Sequence, residues 1–123
     1  MNNNFLNKLE VLLKQSGSKL IIANKIEFKN SFGAVSGYVN SRIFISCGKF
    51  GVALKLPPQV LAELFCEKDV SHLQYFPKGH IKRKYAVIPQ RILDNSTRFK
   101  KLVDKSIHYV LALWEVGILF ERR

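Results

Sequence analysis

Few residues in this sequence could do chemistry, and most lack the partners that chemistry requires. His72, His80, His108, Cys47 and Cys66 are the metal-ligand types. Zinc sites draw ligands in close pairs, and none of these five has a Cys, His or carboxylate partner at such spacing. Ser36, Ser41, Ser46 and Ser71 stand in no nucleophile-elbow motif. Cys47, between Ser46 and Gly48 and near Lys49, reads either as an exposed thiol of lowered pKa or as an ordinary turn or strand residue. Glu63 and Glu67 lie at i, i+4 on a predicted helix, a spacing common on solvent faces. The run Phe32-Gly33-Ala34-Val35-Ser36-Gly37 has no following Lys-Ser/Thr and leads into no helix. It is therefore neither a P-loop nor a dinucleotide fingerprint, and it reads as a turn between antiparallel strands. These residues predict no catalytic, metal or cofactor site, and hence not an enzyme.

Charge is the stronger signal. The chain carries 20 Lys and Arg against 9 Asp and Glu, a net charge of +11. Such an excess favours an anionic partner, nucleic acid or an acidic protein, and says nothing about fold. Between Lys78 and Lys105 stand nine basic residues, opposed only by Asp94 and Asp104. Lys82, Arg83 and Lys84 sit beside His80 where a β-turn would project them, with Lys78 before and Arg98 and Lys101 after. Lys and Arg on a projecting turn hold phosphates, and Tyr75 or Tyr85 could stack on bases. The competing reading is a solvated hairpin tip and helix face. A second candidate surface is the apolar tail Trp114, Ile118, Leu119 and Phe120. It either completes the core or packs on a second subunit, which would make a dimeric protein-interaction module, a chaperone-like adaptor with no nucleic-acid binding.

The elements that must position these residues follow from periodicity. The 123 residues suffice for one domain, 1–123, with a real core. Phe5, Leu6, Leu9, Leu12 and Leu13 mark a first helix, capped by Asn4 and ended at Ser16-Gly17. Leu20 to Ile22 reads as an extended lead-in to a strand over 24–32. From Gly37 to Pro58 the alternation predicts a hairpin whose turn is Cys47-Gly48-Lys49, followed by a helix that Pro58 opens and Glu67-Lys68-Asp69 ends. Short strands follow at 72–76 and 82–89, with a turn at 77–80 and one helical turn around Ile92 and Leu93. Asn95-Ser96-Thr97 caps a long amphipathic helix that Gly117 would end. The order helix, three strands, helix, two strands, helix predicts an α+β fold. Its two layers are an antiparallel sheet with helices packed on one face. No secretory signal or membrane span is visible, so a cytoplasmic protein with no membrane partner and reduced thiols is expected.

Several of these runs resemble the N-terminal domain of the TfoX/Sxy family. They are Phe32-Gly33, Tyr38-Val39-Asn40-Ser41-Arg42-Ile43-Phe44, Leu54-Lys55-Leu56-Pro57-Pro58, the turn at 75–79, and Arg83-Lys84-Tyr85-Ala86-Val87-Ile88-Pro89. The closing helix, with Phe99, Leu102, Val103 and Val110, also fits, so the resemblance covers roughly 11–113. It implies a two-layer α+β fold and a link to competence and transcription regulation. It supplies no catalytic residues. Full-length members continue into a C-terminal domain, so it also implies a stand-alone first domain. Ala34, Ser41 and Lys84 depart from the usual glycine, turn glycine and acidic residue, which makes the basic cluster this chain's own addition.

Overall fold

A computed structural model describes residues 3–74 and 78–121, the side chains of Asn3, Ser31 and 114–121 excepted. Its sheet has six strands, all pairs antiparallel, in the order β1-β2-β3-β4-β6-β5. These are β1 (Ile26–Ser31), β2 (Ala34–Val39), β3 (Arg42–Gly48), β4 (Gly51–Lys55), β5 (Ser71–Gln74) and β6 (Ile81–Ile88). Five helices accompany them: α1 (Asn3–Ser16), α2 (Lys19–Ala23), α3 (Pro58–Leu64), α4 (Gln90–Leu93) and α5 (Ser96–Glu121). The α+β class is as expected; the element order is not.

The differences have local causes. Leu20 to Ile22 is helical rather than extended, because a short apolar run fits either period. Asn24 Nδ2 closes this helix by donating to Leu20 O at 3.0 Å. The supposed connection over 32–37 is mostly strand. Only Phe32 and Gly33 turn, both at positive φ, and Ala34 to Gly37 belong to β2. Asn40 and Ser41, also at positive φ, make another two-residue turn, so four strands precede α3 instead of three. The third turn is Lys49-Phe50, not Cys47-Gly48-Lys49. The positive φ falls on Gly51, at +107°, and Cys47 is a buried strand residue. The helix after Pro58 stops at Leu64, ahead of the Glu67-Lys68-Asp69 run. The last helix runs through Gly117 to Glu121. Its start is as read, with Asn95 Oδ1 accepting from Arg98 N at 3.1 Å.

The core joins Leu9 and Leu13 of α1 and Phe99, Val103 and Ile107 of α5 to Val35, Val39, Ile45, Cys47, Val52, Leu54 and Ile88 of the sheet. Gly37 lies where a Cβ would come within 2.6 Å of Ile45 Cγ2 and 3.3 Å of the Phe28 ring, so only glycine fits. Register shifts between Gly37 and Tyr38, whose partners are Ile45 and Ile43, leaving Phe44 as a bulged residue with its side chain fully buried. Ser106 of α5 lies against this bulge. Its hydroxyl is 3.1 Å from Phe44 O and 2.6 Å from Lys55 O, tying the helix to β3 and β4. Ser18 Oγ donates to Asp104 Oδ1 at 2.5 Å and fixes α2 beside α5.

Candidate anion-binding face

β6 is buried in one half and exposed in the other. Tyr85 to Ile88 pair with β4, whose ladder ends at Lys55. Pro57 cannot donate to a ladder and Pro58 opens α3, so the partner strand leaves the sheet here. The last bond across this seam runs from Leu56 N to Lys84 O at 3.0 Å. Ile81 to Lys84 therefore overhang β4, and all four are exposed. Along this stretch β6 pairs only with β5, Leu73 facing Lys82 and Gln74 facing Ile81. Gln74 Nε2 donates to Gly79 O at 2.7 Å and steadies the preceding turn, where Lys78 and His80 are exposed.

The overhang borders a cleft of about 280 Å³ lined by Lys55, His80, Ile81, Lys82, Arg83, Lys84 and Tyr85. Among the described residues no carboxylate lines it. Lys55 is half-buried, and burial pushes its pKa down, with Lys84 and Arg42 pushing it further the same way. An ammonium losing water and flanked by like charge is disfavoured unless an anion joins it. Among the described residues Lys55, Lys82, Arg83 and Lys84 make no ion pair.

The other basic residues of the segment have a different setting. Arg91 of α4 makes a two-pronged contact with Asp69, at 2.7 and 2.6 Å, and reaches Glu67 at 2.8 Å. Arg98 of α5 also donates to Glu67, at 3.1 Å through Nη1 and in a second, shorter bond through Nη2. Hydrogen bonds from Arg98 and then Arg91 hold the Glu67 carboxyl below the usual carboxylate range, and Arg91 does the same for Asp69. A second cleft, about 200 Å³, holds Arg98 and Lys101 with Lys105, Glu63 and Glu67. The two clefts share no residue. The basic run read as one surface thus divides into an overhang set, Lys78, His80, Lys82, Arg83 and Lys84, and a helix set, Arg98 and Lys101, whose arginine is already paired.

Lys55 escaped the sequence reading, although a lone Lys interrupting Leu54-Lys55-Leu56 at the end of an alternating run was a usable signal. Tyr85 is half-buried in the cleft, whereas Tyr75 lies outside the described residues. The side chains of Trp114, Ile118, Leu119 and Phe120 also lie outside them, although the α5 backbone continues through these positions. Cys47 is buried and burial pushes its thiol pKa up, outweighing the opposing pull of Lys8, so it is no activated thiol. Among the described residues no group of three His, Cys, Asp or Glu is placed to hold a metal ion. Within the same residues no helix is long and apolar enough to cross a membrane. No protein-family model matches the chain, and no match is found among curated proteins.

Proposed function

We propose that this chain is a non-enzymatic binding domain that holds nucleic acid by its phosphates, through the overhanging half of β6. The carrying observation is the run Lys82-Arg83-Lys84 standing past the end of β4, beside half-buried Lys55, with no carboxylate among the described residues of the cleft. Such a surface supplies charge and hydrogen-bond donors for phosphate but few groups placed to read base edges. Affinity should therefore fall steeply with salt and vary little with sequence. The resemblance to the TfoX/Sxy N-terminal domain fits a regulatory role of this kind in the cytoplasm. It also fits helices forming one layer over the sheet, which the shared core of α1, α5 and the strands supports.

Fluorescence anisotropy of short duplex and single-stranded DNA across a salt series tests the reading. Changing Lys82, Arg83 and Lys84 together to Ala should weaken binding and flatten the log–log salt slope by roughly 2–3. Unchanged binding in that variant would sink the assignment, and so would absence of binding by the parent at low salt.

A second reading, a dimeric interaction module, draws support from an apolar groove of about 350 Å³ between α1, α2 and β1. Ile22 on its wall is 85% exposed. Light scattering that finds a monomer at every concentration would retire it.

A further inference from the structure

We propose that the cleft around Lys55 is a seat for the terminal phosphate monoester of a nucleic-acid strand, with the following phosphodiesters running along the β6 overhang. This rests on the nucleic-acid reading above and adds end recognition to it. Three observations carry it.

The cleft is small. At about 280 Å³ it lies at the lower edge of ligand-pocket sizes, roughly 300–1,000 Å³, so it suits a phosphate with its adjoining sugar rather than a duplex. Its charge is concentrated. Lys55, Lys82, Arg83 and Lys84 all border it, and Arg42 lies near enough for its charge to act on Lys55. A monoester carries about −1.5 to −2 near neutral pH and offers three terminal oxygens. A diester carries one charge and two free oxygens, so cations crowded on one point favour the monoester. Finally, the cations are arranged in sequence. Lys55 marks where β4 ends, and Lys82 and then Lys78 lead away from it along β6 and its turn. A strand seated by its end at Lys55 would meet them one after another. Ile81 and Tyr85 add apolar surface to the same cleft, against which a terminal base can lie.

The test compares two short single strands, labelled at the 3′ end and alike except for a 5′-phosphate or a 5′-hydroxyl. The phosphorylated strand should bind about tenfold more tightly, equivalent to ~1.4 kcal/mol. Lys55→Met keeps the stem and removes the charge. It should abolish that preference, so that the two strands bind the variant with equal affinity. Because the substitution relieves repulsion from Lys84 and Arg42, the variant should fold. The exposed Lys84→Gln gives an independent version of the experiment. Equal binding of both strands, with a steep salt slope, would overturn end recognition and leave the broader reading standing. Binding of the phosphorylated strand alone would support the seat and place the nucleic-acid contact at strand ends. Binding of neither would overturn both. Displacement of the strand by a phosphoserine peptide at lower concentration than by a nucleoside 5′-monophosphate would also overturn the proposal, since the phosphate would then come from a protein.

Discussion

One hydroxyl proton serves two strands at Ser106. The residue is fully buried, and its Oγ stands within hydrogen-bonding distance of the carbonyls of Phe44 and Lys55. Removing it takes a buried donor away from both carbonyls. Ser106→Ala should therefore cost about 1–3 kcal/mol, read as a lowered urea midpoint at unchanged slope. Nothing near Ser106 in the chain announces this role, because its partners are 62 and 51 residues away. Gly37 is hidden in the same way, since its requirement is set by Phe28 and Ile45 across two ladders. Lys55 was visible as an interruption, but the like charge around it depends on β6 bringing Lys84 beside the end of β4. The turn was misplaced at Cys47-Gly48-Lys49 because Gly48 drew it to itself, whereas the residue that needs positive φ is Gly51.

At the scale of elements, the tight turns decide where strands begin. Asn40 and Ser41 both have positive φ, at 47° and 69°, as a two-residue turn of type I′ demands. Asn40 suits its place. Its side chain accepts from Lys25 N at 3.1 Å and donates to Asn24 Oδ1 at 3.1 Å. Ser41 has no such compensation and keeps a side chain in a left-handed conformation. Ser41→Gly should stabilise the domain by about 0.5–1 kcal/mol, measured by the same denaturation. The long helix and the strand before Pro89 were legible because each keeps one period over many residues. The split of 34–48 into two strands was not. Its turn lacks the Asn-Gly or Asp-Gly pair that usually marks one, and Phe32 puts an aromatic where a turn residue is expected.

For the molecule as a whole, charge sets how the fold responds to pH. Glu67, just beyond α3, is held by Arg91 of α4 and Arg98 of α5, so one carboxylate joins three helices. Its pKa is lowered in the folded state, first by the hydrogen bond from Arg98 and then by that from Arg91. The stability it contributes is complete above the unfolded Glu value, about 4.3. It is lost as pH falls through the lowered folded value. Denaturation midpoints followed downward from pH 6 should drop less in Glu67→Gln than in the parent over that acid window. A parallel fall in the two proteins would remove Glu67 from the account. The surplus of positive charge was plain in the sequence. Its division into a paired helix set and an overhang set was not, because pairing requires Glu67 and Asp69 to meet residues 22 to 31 positions away.

The strand order β1-β2-β3-β4-β6-β5 contains a single join between strands that are not consecutive in the chain, β4 with β6. Everything on one side of that join closes through two-residue turns, and everything on the other is one hairpin. Short loops close early and the long one late, so the sheet assembles as two blocks stitched along one seam. The seam can also reopen, as a unit smaller than the whole domain. Amide deuterium uptake should then show β5 and β6 exchanging together and ahead of β2 and β3. The strand that carries the exposed cations would thus be the last docked and the first released, and an anion bridging Lys55 and Lys84 would act as a clasp across it.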